Sequence, residues 1–266
     1  MNIYIEGSIH VALSCFSLVH VTQHYFNISK DFTLAYFAFF GTIIGYNFVK
    51  YEALYRVKKR QIKNKLKGIF VLSFLSLTAA GFYFFQLQKI SQIISIAFLI
   101  LTLLYTLPFF PNRKNARNWA GVKIYIVALC WVGVTVVLPV LNAGIALTSN
   151  FYLKCIQRFI LIFVLILIFE IIDLAKDDPH LQTVPQQIGV KRTKQLGFLL
   201  LALFFSLNFF SFIIDVNFEY SSFIIAIVAV LFLAFANEKR SKYYTSFWVE
   251  AAPILWWLMI LGFRQT

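Results

Sequence analysis

Runs of about 20 apolar residues, the length that crosses a hydrocarbon layer, recur along almost the whole chain. They predict helices at roughly 8–27, 32–51, 68–87, 90–110, 119–141, 150–173, 195–214, 220–237 and 245–263. Short polar connections separate the runs, and strongly basic connections alternate with nearly neutral ones. The expected fold is therefore an all-α polytopic membrane bundle of nine transmembrane helices.

Composition agrees with that pattern. The 266 residues are 60% hydrophobic and only 13% charged, and the mean hydropathy is +0.77, far from the range of water-soluble domains. Apolar segments leave no room for a separate soluble unit, so one domain over 1–266 is expected. The opening MNIYIEGSIH lacks a basic leader and a small-residue cleavage site, and the first apolar run reads as a retained helix. A large polar loop follows the second helix of each group of four, which suggests pseudo-repeat halves at about 1–110 and 119–237 with a ninth helix added.

The formal charge of +13 does not indicate nucleic acid, because the basic residues sit in short loops between spans rather than on one folded face. Grouping Lys50 to Lys67, Arg113 to Lys123, Lys176 to Lys194 and Lys239 to Lys242 places 19 of the 24 Lys and Arg residues on one side. By the positive-inside rule that side is cytoplasmic. An integral protein of the cell (inner) membrane is expected, with the N-terminus inside and the C-terminus outside. The three cysteines, Cys15, Cys130 and Cys155, lie in apolar segments without metal-ligand spacing and read as small buried hydrophobes.

Candidate chemistry concentrates where the sixth run ends, in VLILIFEIIDLAKDD. At 100° per residue, Glu170, Asp173 and Asp177 fall within about 60° of one another on a helix. Carboxylates this close repel unless a cation is shared among them, and Mg²⁺ held jointly with substrate phosphates is one solution. A solvated helix end paired with Lys176, Lys191 or Lys194 is the other. A second polar pattern runs along the first helix as Glu6, His10, Ser14, Ser17, His20 and His24. Such a stripe should face the bundle interior, as helix-packing contacts or, for Glu6 and His10, as groups that touch a substrate. Gly41 and Gly45 form a G-x-x-x-G step that would let the second helix approach a neighbour closely.

The E-x-x-D-x-x-x-D of residues 170–177, followed by TVPQQIG at 183–189, resembles the second aspartate-rich signature of the UbiA superfamily of membrane prenyltransferases. Nine spans, a basic loop after the second, and LYTLPFFPNRKNARNWAGVK at 104–123 are also similar to that family. The resemblance implies transfer of an isoprenoid chain from a prenyl diphosphate to a hydrophobic acceptor, an aromatic ring or lipid precursor, with Mg²⁺ as cofactor. It implies Glu170, Asp173 and Asp177 as metal ligands, with Asp173 and Asp177 catalytic. Arg113, Arg117, Lys123 and Tyr105 would then stand near the diphosphate.

The family's first motif, N-D-x-x-D-x-x-x-D, aligns with NFVKYEALY at 47–55, where Asn47 alone persists and Phe48, Tyr51 and Tyr55 replace acids. Neutral phenols are poor Mg²⁺ ligands, so one ion rather than two is expected. Lys50, beside Asn47, could supply charge directly to the diphosphate. The rival expectation is a non-catalytic UbiA-like protein that binds an isoprenoid or a partner protein. A small-solute transporter would call for charged or unwound segments at mid-membrane in both halves, and these are scarce in the sequence. The orientation is testable: a reporter active only outside the cell should be active when fused after Thr266 and silent when inserted within 58–63.

Overall fold

The computed structural model describes residues 3–29, 31–57, 64–107, 121–213 and 215–263, with the side chains of 52–57, 64, 65 and 105 outside the description. After a four-residue turn of helix, Ile3–Glu6, the helices are α1 Ile9–Tyr25, α2 Phe32–Val57, α3 Asn64–Phe84, α4 Lys89–Thr106, α5 Lys123–Asn142, α6 Ser149–Asp173, α7 Val184–Phe210, α8 Val216–Phe235 and α9 Tyr244–Phe263. No strand occurs among the described residues. Seven of the helices, α2, α3 and α5 to α9, are long and apolar enough to cross a membrane. The chain is an integral membrane protein. The count of nine spans is not met by length alone: α1 has 17 residues, and the apolar part of α4, Lys89–Leu104, is shorter than the others.

Two boundaries differ from the periodicity in an instructive way. The seventh helix starts at Val184 rather than 195, because Pro185 suits a first turn and the Gln186 side chain accepts from the Thr183 backbone N–H at 2.9 Å. The charged run Lys191, Arg192 and Lys194 is thus helical, not loop. The polar stripe of the first helix also does not extend to Glu6. Ser8 adopts a left-handed φ of 63°, which breaks the helix and leaves Glu6 exposed on the preceding turn.

α1 and α6 form the centre. Thirteen of the 17 residues of α1 are buried, including the polar His10, Ser14, Ser17, His20, Thr22 and Gln23. Leu18, Val21 and Tyr25 of α1 join α6, α7, α8 and α9 in the main core, while Cys15 and Val19 pack with Leu34, Ala35 and Ala38 of α2. One helix therefore connects both apolar clusters. α3 and α4 lie at the periphery, where Phe70, Phe74, Leu75, Ile93, Ile96 and Leu99 are exposed as expected of lipid-facing positions.

Two π-helical turns interrupt the bundle, Gly133–Val137 in α5 and Tyr244–Val249 in α9. Each precedes a proline, Pro139 or Pro253, whose missing N–H leaves a carbonyl without its helical partner. In α5 that carbonyl is Thr135 O, and it accepts from Thr22 Oγ1 of α1 at 2.6 Å. In α9 the contacts to α1 fall on other carbonyls: Phe247 O, which also accepts from the Ala251 N–H at 2.9 Å, accepts from His10 Nε2 at 2.8 Å, and Glu250 O accepts from Ser14 Oγ. The polar face of α1 thus satisfies backbone groups on two bent neighbours.

The Gly41–Gly45 step does not mediate a close contact. A Cβ placed on either glycine meets nothing within 4 Å, because this face of α2 has no neighbour pressed against it. The close approach occurs at Gly133, where a Cβ would lie 2.0 Å from the Phe98 ring. Gly133→Ala should therefore displace that ring and destabilise the protein by about 1–3 kcal/mol, read as a lower melting temperature in detergent. Gly41→Ala should leave it unchanged.

Candidate functional site

The acidic edge is built where α6 ends and the chain turns back into α7. Glu170 is buried, 3% exposed, and its Oε2 accepts from the Val184 backbone N–H at 3.1 Å. A carboxylate there meets the unpaired N–H groups and the positive end of the α7 dipole, so Glu170 ties the two helices together. Asp173 closes α6; its Oδ1 lies 3.7 Å from Lys176 Nζ, and its backbone carbonyl accepts from the Lys176 and Asp177 N–H groups. Asp177 follows in the turn, with a buried Oδ2 that has no hydrogen-bond partner.

The turn is held closed by its own polar groups. Asp178 Oδ1 accepts from the His180 N–H at 2.9 Å, Asp178 O accepts from Gln186 Nε2 at 3.2 Å, and Gln182 O accepts from Gln187 Nε2 at 2.6 Å. Leu181 O accepts from the Gly121 N–H at 3.1 Å, which brings the start of α5 alongside. Gly121 has a φ of 68°, and a Cβ on it would stand 3.3 Å from Gln187 Nε2. Through this contact Lys123, the first residue of α5, acts as the attractive charge on Glu170, opposed by Asp177. A lysine opening a helix runs against the dipole, so these acids compensate it.

Gly189 explains the last letter of TVPQQIG. It bends α7 at φ 78° and ψ 157°, a combination essentially reserved for glycine.

The sequence-nominated residues are therefore separated into distinct settings. Glu170, Asp173, Asp177 and Lys123 are brought to one end of the bundle. The three carboxylates do not converge, however: among the described residues no group of three His, Cys, Asp or Glu side chains is arranged to hold a metal, because Glu170 turns to cap α7 while Asp173 sits at the helix end beside Lys176. On α2, Asn47 is buried and its Nδ2 donates to Ser73 Oγ at 3.0 Å, leaving a buried Oδ1 without a partner. Lys50 Nζ donates to Ser8 Oγ at 3.0 Å, and the Tyr51 hydroxyl donates to Glu6 O at 2.9 Å. Arg113 and Arg117 lie outside the described residues, as does the Tyr105 side chain.

The three histidines of α1 divide between its two ends. His10 bonds Tyr4 at 2.7 Å and Phe247 O. His20 pairs with Gln23 at 2.8 Å and stacks on Trp257, and His24 pairs with Asp215 at 3.1 Å. The periodic reading passed over Lys154 and Arg158, both buried in α6. Their signal was available: two cations one turn apart inside an apolar run.

Mg²⁺ is the cofactor that this edge invites. It is ordinarily held by one or two carboxylates together with substrate phosphates and water, not by a complete protein cage. The buried, partnerless Oδ2 of Asp177 and the adjacent Asp173 fit such a donor set.

No protein-family profile matches the chain, and no curated protein matches it in sequence. Solved structures match over essentially the whole length. A UbiA homologue from Archaeoglobus fulgidus bound to GPP and Mg²⁺ is similar at a TM-score of 0.65, with 12% identity and 100% of both chains covered. The same homologue bound to Cd²⁺ is similar at 0.60. A digeranylgeranylglyceryl phosphate synthase structure is similar at 0.61 and 14% identity, covering 99% of this chain and 96% of that one. The fold is that of the UbiA homologues: an all-helical bundle embedded in the membrane.

Gly189→Ala should cost about 1–3 kcal/mol through backbone strain and loosen the turn that holds Asp177. A lower melting temperature, with faster protease cleavage within 174–183, would report it.

Proposed function

We propose that this protein is an intramembrane prenyltransferase, moving an isoprenoid chain from a prenyl diphosphate to a hydrophobic aromatic or lipid-precursor acceptor. The observation that carries the reading is Asp177: a buried carboxylate oxygen without a protein partner, next to Asp173, on a fold shared over its full length with a GPP- and Mg²⁺-bound homologue. Breaking an allylic carbon–oxygen bond separates a carbocation from an anionic leaving group. Catalysis must therefore neutralise the diphosphate and keep water from the cation.

Asp173 and Asp177 would hold one Mg²⁺ against the diphosphate. That ion supplies Lewis-acid stabilisation of the leaving group. Lys123 lies beside the same edge and adds positive charge; Tyr105, near the end of α4, and Arg117, in the connection from α4 to α5, precede it in the chain. Glu170 acts as a positioning residue through its bond to Val184. From the α2 side, Asn47 offers its partnerless Oδ1, and Lys50 is available if it leaves Ser8. The apolar walls of the bundle shield the allylic cation. In keeping with this reading, we take α1 and α4 to span the membrane as well, giving nine spans in one domain, with the acidic edge on the cytoplasmic side.

A second reading is favoured by one set of contacts. Where the family pattern would place acids on α2, Tyr51 is instead bonded to Glu6 O, and Lys50 beside it to Ser8. A protein that binds a prenyl diphosphate without turning it over would fit. Membranes carrying the protein, incubated with labelled prenyl diphosphates of several lengths and a pooled acceptor extract, distinguish the two. Asp173→Asn and Asp177→Asn should each lower pyrophosphate release by about 100-fold or more. Tight Mg²⁺-dependent binding with no release in the unaltered protein would establish the binding function and overturn the catalytic one.

A further inference from the structure

Far from the acidic edge, α6 encloses two cations together. Lys154 and Arg158 are one turn apart and share a face, at 8% and 5% exposure. Arg158 lies about 18 Å along α6 from Glu170 at the helical rise. Arg158 donates to Leu18 O at 3.3 Å, Thr135 Oγ1 at 3.0 Å and Thr22 Oγ1 at 3.2 Å. Lys154 donates to Gln157 Oε1 at 2.7 Å and Asn208 Oδ1 at 3.4 Å. Aromatic faces line the surroundings: Tyr25 is 4.0 Å and Phe218 4.7 Å from the ammonium, and Trp256 is 5.6 Å from the guanidinium.

These bonds use polar hydrogens but do not cancel charge. Among the described residues the ion pairs within 4.0 Å are His24–Asp215 and Lys176–Asp173, and neither involves Lys154 or Arg158. Glu219 acts on Lys154 only at longer range. Two like charges in an apolar interior repel each other and lose hydration, so an uncompensated pair is costly.

Donors remain unspent as well. An ammonium has three N–H groups and a guanidinium five, more than the acceptors present. The Asn208 Nδ2 amide is buried with no acceptor, and its orientation is set because Oδ1 receives both Lys154 Nζ and Gln157 Nε2, the latter at 2.8 Å. A cavity of about 10 Å³ lies among Thr22, Tyr25, Lys154, Gln157, Arg158 and Trp256. That is room for one water-sized species.

We infer that this chamber binds one compact monovalent anion of halide size between Lys154 and Arg158, as a resident counter-ion of the bundle. Size decides against a phosphate or carboxylate head group, which would have to push the chamber open. The site is separate from the acidic edge and stands whether or not the protein is a transferase.

The test uses the purified full chain in neutral detergent, exchanged into sodium gluconate and titrated with chloride or bromide at constant ionic strength. Melting temperature should rise saturably by about 4 °C with either halide and should not respond to phosphate. Bromide should give one anomalous-scattering peak in the chamber. Lys154→Gln and Arg158→Gln should each weaken halide affinity about tenfold or more. Equal melting in chloride and gluconate overturns the inference. So does a bromide peak elsewhere, or a rise produced only by phosphate or by vesicles of anionic phospholipid. If the variants do not fold, bromide localisation in the unaltered protein decides.

Discussion

A guanidinium inside a membrane bundle must find every acceptor within the protein, and the arrangement around Arg158 organises the centre of this molecule. Its three bonds reach α1 twice and α5 once, so α6 is joined to both neighbours at one depth. Thr135 takes part twice: its hydroxyl accepts from Arg158, and its backbone carbonyl accepts from Thr22. That carbonyl is free because Pro139, four residues on, has no N–H to offer it. The helix break and the buried cation are thus parts of one network.

α1 also bonds backbone carbonyls of a bent helix near its other end. The π-helical turn before Pro253 presents Phe247 O and Glu250 O to His10 and Ser14. Backbone carbonyls in an apolar medium gain from a second donor as well as from their own helix, and α1 provides donors along a polar face. This accounts for a helix with few long apolar side chains being so deeply enclosed. It also explains why α3 and α4, which look more lipid-soluble, are peripheral: they have little to contribute except apolar surface.

At the acidic edge, structure divides labour among residues that share one helical face. Glu170 is occupied by the N-terminus of α7, whereas Asp177 retains a free buried oxygen. The TVPQQIG segment supplies the start and the bend of α7, so its likeness to a signature has a mechanical cause. It fixes where Asp177 stands relative to Lys123. The α2 side, with Asn47 bonded to Ser73 and Lys50 to Ser8, presents an amide and an ammonium group rather than carboxylates.

Membrane insertion, helical class and most helix positions follow from the chain alone, because a 20-residue apolar run in lipid has no alternative to hydrogen-bonding itself as a helix. The proximity of Glu170, Asp173 and Asp177 was legible for the same reason: it depends only on local helical geometry. The true start of α7 was not, since basic residues inside a helix resemble a loop until the Thr183 and Pro185 start is weighed with the Glu170 cap. The lack of contact at Gly41 and Gly45 and the crowding at Gly133 could be seen only once neighbours were in place. Most of all, the sequence places Lys154 and Arg158 in an apolar run without saying what surrounds them. Only tertiary packing decides that aromatic rings, Thr22, Thr135 and Asn208 surround them, with no carboxylate within 4.0 Å among the described residues, because charge balance in a bundle is set by which helices meet.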